Sequence, residues 1–177
     1  GEGVGAALLK PLRSALADND NVQAVIRGTA VNHGGKAASL TAPNSDAQSA
    51  LLISAYTEAE ITPDTVTYLE LHGTGTELGD PVEVEGIKMA FHEMAKKQNR
   101  AICHHYCGLG SVKTNIGHLE PAAGIAGLMK VILAMQHQKL PGTLHLQTLN
   151  PYIEITDTPF YVVEKTQAWE RLQDKDG

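Results

Sequence analysis

The sequence predicts an α/β fold, a central mixed sheet covered by helices. Three observations carry that prediction. Short β-branched runs such as VQAVIRGTAVN and TVTYLEL alternate with helix-length apolar stripes. Proline and glycine punctuate the changes of period. A strong helix start, GDPVE, follows directly on a strand and a glycine-rich turn.

The elements follow in order. VGAALLK, Val4 to Lys10, reads as a buried strand or the start of a short helix; its immediate apolar pattern reads as the interior of a domain. Val22 to Asn32 has the alternation of a strand. After the loop HGGKAASLTAPNSD, a cap from Asn44, Ser45 or Asp46 opens a helix striped by Leu51, Leu52, Ala55 and Ala59. Pro63 breaks the chain before a strand from Thr65 to Leu71. The next helix begins with Asp80 as N-cap, Pro81 at the first helical position and Glu83 completing a capping box. Val84, Ile87, Phe91 and Met94 form its buried face, and HEMAKKQNR carries it to the surface. GSVKT reads as a short strand holding Lys113. PAAGIAGLMKVILAMQ is a helix apolar or small on nearly every side, which predicts burial between layers. PFYVVEK is a further strand.

Composition narrows the function. The chain is 42% hydrophobic with 14 basic and 20 acidic residues, a net charge of -6, and its basic residues never form a block, so nothing points to nucleic acid. No apolar run reaches a membrane span, since even GIAGLMKVILAM is interrupted by Lys130, and no signal peptide is recognisable. A cytoplasmic setting fits, and the low cysteine content agrees with a reducing compartment. Cys103 and Cys107 flank His104 and His105, but adjacent histidines on a short segment do not readily converge, so no metal site is expected.

Two glycine-flanked histidines carry the chemistry. His72 follows TVTYLEL, and His118 follows GSVKT after three residues. Ligand sites in open α/β sheets collect at the carboxyl ends of strands, so adjacent strands would bring both rings to one cleft. The alternative is a pair of hydrogen-bonded structural histidines. Thr74 and Thr76 can offer hydroxyls to an amide-bearing substrate arm. Lys113, if buried, needs an anion, with Glu83 and Glu120 as candidates; otherwise it is an edge lysine with its head in water. Glu83 is also explained by the capping box alone.

The segments GEGVGAALLKPL, GTAVNHGGK, YLELHGTGTELGDPVEVEG, GSVKTNIGHLEPAAGIAGLMKV and NPYIEITDTPFYV resemble consecutive signatures of the β-ketoacyl synthase domain of modular type I polyketide synthases. The similarity covers essentially the whole chain. HHYCGLGSVKTNIGHLEPAAG and TQAWERLQDKDG look most like synthases served by a trans-acting acyltransferase. The resemblance implies a thiolase-like α-β-α-β-α layered fold, present mainly as its C-terminal half, with residues 1–35 ending the N-terminal half and 36–177 forming most of the C-terminal half. It implies the two family histidines at His72 and His118, the family lysine at Lys113 with its acidic partner Glu83, and phosphopantetheine contacts at Thr74 and Thr76. The family's nucleophilic cysteine is expected before Gly1 and a closing segment after Gly177; neither Cys103 nor Cys107 has a nucleophile context. Ser39 stands where the family commonly has glycine, which bears on acyl preference.

The implied reaction is decarboxylative condensation of an acyl-cysteine thioester with malonyl-acyl carrier protein, with Lys113 and the N-terminal end of the helix near Pro121 supporting the histidines. No intrinsic cofactor or metal is implied, because phosphopantetheine arrives on the carrier protein. Implied partners are the acyl carrier protein, the N-terminal part of the ketosynthase, a second copy in a homodimer and a trans-acting acyltransferase. A non-elongating, acyl-transferring ketosynthase is the first alternative; retention of His72 argues against it. A non-catalytic scaffold or cleaved fragment is the second. A thiolase or fatty-acid condensing enzyme fits HGTGTELGDPVE and KTNIGHLE less well.

Overall fold

A computed structural model describes residues 1–35 and 43–172; Ser39 lies outside them. Three short strands, β1 (Tyr68–Glu70), β2 (Cys107–Gly110) and β4 (Phe160–Val162), form a sheet in the order β1-β2-β4. Both pairings are parallel, with Glu70 opposite Gly110 and Cys107 opposite Phe160. β3 (Lys139–Leu140) and β5 (Gln167–Ala168) make a separate antiparallel pair. The sheet is therefore parallel rather than mixed. A helix between each pair of its consecutive strands returns the chain to the same end, and parallel neighbours require that crossover.

Among the described residues five α-helices accompany the strands: α1 (Leu12–Ala17), α2 (Ser45–Glu58), α3 (Gly79–Lys97), α4 (Lys113–Ile116) and α5 (Ala123–His137). Asn44 caps α2 as the sequence predicts, its side chain accepting the Ala47 N–H at 3.2 Å. A 3-10 turn at Pro63–Thr65 leads into β1. α3 buries the face predicted for it. Val84, Ile87 and Phe91 pack on Cys107, Leu109 and Phe160 of the sheet, with Leu52 and Tyr56 of α2 closing over them. Phe91 lies at the centre, edge-on to Phe160 at 4.9 Å and to Tyr56 at 6.1 Å.

Three further expectations are corrected. Residues 22–32 form no strand: Gln23 accepts from Gln136 of α5, and Gly28 lies against Ala55 and Ala59 at the end of α2, a helix with no ladder edge to offer. They bond to it through side chains instead: Arg27 donates to the Ala59 carbonyl, Asn32 donates to the Ala47 carbonyl, and Glu58 accepts the Thr29 N–H. Val4 to Lys10 is exposed and irregular, with the first helix starting at Leu12. α5 is not buried between layers among the described residues: it buries Gly127 and Ala134, while Leu133 and Met135 are exposed.

Phe91 is fully buried. Phe91→Ala is expected to destabilise the fold by about 3–5 kcal/mol through lost burial and a residual cavity. Chemical denaturation reads this as a lower midpoint at unchanged slope, and a loss below about 1 kcal/mol would remove α3 from the core.

Candidate active site

The site forms where β1 and β2 end side by side. Leu71, just past β1, still donates its N–H to the Gly110 carbonyl at 2.8 Å. The chain then turns through His72 and Gly73 while its neighbour turns through Ser111 into α4. Gly73 is required here on two counts. Its φ is +46°, and a Cβ on it would stand 2.8 Å from the Ser111 Cβ. The missing side chain lets the two turns touch.

This contact brings the histidines together. The rings of His72 and His118 lie 5.4 Å apart, edge to face at 83°. His72 is exposed and His118 half-buried. The Glu120 N–H donates to Nδ1 of His118 at 2.9 Å. With Nδ1 occupied as an acceptor, the neutral ring carries its proton on Nε2, leaving one donor for a ligand.

Glu83 behaves differently from the capping box. One carboxylate oxygen accepts the His72 N–H at 2.7 Å and the other the Gly73 N–H at 3.0 Å. It thus reaches from the fifth residue of α3 to the backbone that carries His72. Asp80 is no N-cap either: both its oxygens accept the Gly75 N–H, at 3.2 and 3.1 Å. Leu78 stands at the N-cap of α3 without a side-chain bond, and Thr76, on the turn before it, accepts the Gly79 N–H with its Oγ1 at 3.2 Å. Thr74 and Thr76 place their hydroxyl oxygens 3.3 Å apart on the same turn.

Lys113 is the first residue of α4, half-buried, rather than part of a strand. β2 stops at Gly110, and backbone bonds from Asn115 and Ile116 to Val112 close a helical turn. Lys113 makes no ion pair with Glu83 or Glu120. Glu83 has turned to the backbone of His72 and Gly73 instead.

Sequence reasoning passed over two residues beside the site. Glu70 of β1 and Lys130 of α5 form an ion pair at 2.8 Å, their side chains only 12% and 10% exposed. The signal was present: a lysine inside GIAGLMKVILAM and a glutamate inside TYLEL are two charges in apolar surroundings, which need each other.

The sequence profile described as "Beta-ketoacyl synthase, C-terminal domain" matches residues 23–147. The chain belongs to the β-ketoacyl synthase family. It is 51% identical over 177 residues to polyketide synthase PksN of Bacillus subtilis, covering all of this chain and 3% of that protein. It is 50% identical to polyketide synthase ThaG of Burkholderia thailandensis, covering 98% of this chain and 3% of the relative. Among solved structures, the oxazolomycin ketosynthase domain OzmH KS7 of Streptomyces albus superposes with a TM-score of 0.87 at 43% identity, over 95% of this chain and 28% of that one. The module 6 ketosynthase of the Bacillus subtilis bacillaene synthase gives 0.84 at 39% identity, over 91% of this chain and 28% of its own. The β-ketoacyl synthase chain thus spans under a third of these solved structures, and its architecture matches the C-terminal half of their thiolase-like fold.

The two cysteines of this ketosynthase segment differ. Cys103 is exposed, whereas Cys107 is fully buried in β2. Burial pushes the Cys107 thiol up to about 12. Among the described residues no group of three or more His, Cys, Asp or Glu could hold a metal ion.

Iodoacetamide at pH 8 is therefore expected to alkylate Cys103 and spare Cys107 in the folded protein, with both labelled after denaturation; mass spectrometry reads the difference. Labelling of folded Cys107 below pH 10 would contradict its placement. Removing the carboxylate in Glu83→Ala leaves two turn N–H groups without their acceptor, and a stability loss of about 1–3 kcal/mol is expected in thermal unfolding.

Proposed function

We propose that this chain contributes the histidine-bearing half of a β-ketoacyl synthase that elongates polyketides by decarboxylative condensation. The observation that carries the proposal is the edge-on meeting of His72 and His118 at 5.4 Å, at the carboxyl ends of adjacent parallel strands. On this reading residues 1–35 end the N-terminal half of the domain and residues 36–177 form most of its C-terminal half. The nucleophilic cysteine lies outside this chain.

An acyl group passes from its carrier protein to that cysteine as a thioester. The malonyl thioester then loses carbon dioxide: the bond to its carboxylate breaks and the electron pair moves into an enolate. Negative charge collects on the thioester oxygen. Two imidazole N–H groups aimed at that oxygen stabilise it, and one such donor is worth roughly 3 kcal/mol. His118 suits the task because the Glu120 N–H holds its Nδ1 and leaves Nε2–H to donate. The enolate carbon attacks the acyl thioester, a carbon–carbon bond forms, and the cysteine leaves as thiolate.

Glu83 acts through the backbone, holding the His72 and Gly73 amides in the turn. Lys113, one turn of chain before His118, contributes positive charge to the same cleft. The hydroxyls of Thr74 and Thr76 suit the amide groups of the carrier protein's phosphopantetheine arm. No intrinsic cofactor enters this mechanism. The partners are the acyl carrier protein, the remaining N-terminal part of the domain, a second ketosynthase in a homodimer and a trans-acting acyltransferase, in a cytoplasmic synthase. Among the described residues no helix is long and apolar enough to cross a membrane.

The test uses the complete ketosynthase with malonyl carrier protein. His72→Ala and His118→Ala are each expected to lower carbon dioxide release about 100- to 1,000-fold. Loading of the acyl group onto the cysteine should persist. An unmodified enzyme that loads but releases no carbon dioxide is a transferring ketosynthase and would sink the condensing assignment.

A further inference from the structure

Behind the histidines lies a closed set of buried polar groups that the condensation mechanism does not use. The Glu70 carboxylate is at its centre. One oxygen accepts from the Tyr68 hydroxyl at 2.7 Å and pairs with the Lys130 ammonium at 2.8 Å. Lys130 also donates to the Tyr68 hydroxyl oxygen at 2.8 Å. The other carboxylate oxygen accepts the Val112 N–H at 2.5 Å.

The placement of these atoms in the chain is informative. Glu70 is the last residue of β1, two before His72. Val112 is the N-cap of α4, one residue before Lys113 and six before His118. One carboxylate therefore ties the strand that delivers the first histidine to the turn that delivers the lysine and the second. α5 makes room for it: a Cβ on Gly127 would come within 3.2 Å of the Glu70 side chain. Stability alone is a poor reason for such a pair. Desolvation of two buried charges offsets most of their attraction, and apolar side chains of like volume often serve as well.

We propose that Glu70, held by Lys130 and Tyr68, is a positioning residue for the condensing step: through the Val112 N–H it sets α4, and with it Lys113 and His118, against His72. The proposal rests on the condensing function given above. Loading of the cysteine needs neither histidine as an oxyanion donor and so does not depend on this registration. Condensation does, because a displacement of an ångström at the reacting groups is enough to cost two orders of magnitude.

The test is made in the complete ketosynthase, measuring cysteine loading by mass spectrometry and carbon dioxide release separately. Glu70→Leu with Lys130→Met keeps the volume and removes both charges together with the acceptor for Val112. It is expected to unfold near the unmodified temperature and to load at the unmodified rate, with carbon dioxide release falling roughly 10- to 100-fold. Glu70→Gln with Lys130→Met restores a carbonyl acceptor and is expected to recover most of that loss. Val112→Pro removes the N–H itself at a φ of -62°, which proline adopts, and should reproduce the condensation defect if the first double variant fails to fold. Carbon dioxide release at the unmodified rate in the first double variant overturns the proposal. So does a parallel fall in loading, failure of the glutamine to rescue, or collapse of the fold in Val112→Pro as well. An unmodified enzyme that loads without releasing carbon dioxide defeats the condensing function instead, before any variant is read.

Discussion

Parallel pairing of β1 with β2 is the constraint on which the rest of the site depends. It puts two carboxyl ends of strands at the same edge, one ladder spacing apart, so the turns that leave them must share space. Gly73 and Ser111 meet there because a glycine has nothing to interpose. Everything else follows from that shared corner: the histidines approach edge to face, and α4 begins beside the HGTGT turn. The core of Phe91, Phe160 and Leu109 beneath the sheet keeps the strands in register.

Around that corner, carboxylates serve mainly as acceptors for backbone N–H groups. Glu83 takes two amides, Asp80 takes one twice over, and Glu70 takes one while paired with Lys130. Tight turns at the ends of strands leave N–H groups that no ladder can satisfy, and a carboxylate binds them more strongly than a neutral acceptor. The acidic residues of this region thus shape the turns. The imidazoles, by contrast, meet each other edge to face at 5.4 Å.

The parts of the fold legible in the sequence are those decided by local chemistry. The Asn44 cap, the strand around Tyr68 and the α3 stripe from Val84 to Met94 follow from capping and periodicity, and the structure contains them. The meeting of His72 and His118 was legible too, since it needs only two strand ends and a parallel neighbour. Non-local partners were not. Asp80 and Glu83 have the spacing of a capping box, yet both turn away to amides on the preceding loop, a choice that depends on where that loop lies. Lys113 sits in a β-branched sequence that folds as a helical turn, because the pairing of β2 ends at Gly110. Residues 22–32 alternate like a strand but lie beside α2, where there is no ladder to join.

Gly127 has a consequence for how such a sequence can change over time. The gap between α5 and β1 is fixed by a side chain that is not there, and it holds the stem of Glu70. Positions 70, 127 and 130 are therefore not free to vary singly. A methyl at 127 crowds the glutamate, a shorter acid at 70 strands the lysine, and a neutral residue at 130 leaves the carboxylate buried without its cation. Passage to an apolar version of this contact needs at least two substitutions, the first of them costly. In an alignment of related sequences the three positions should change as a block or not at all.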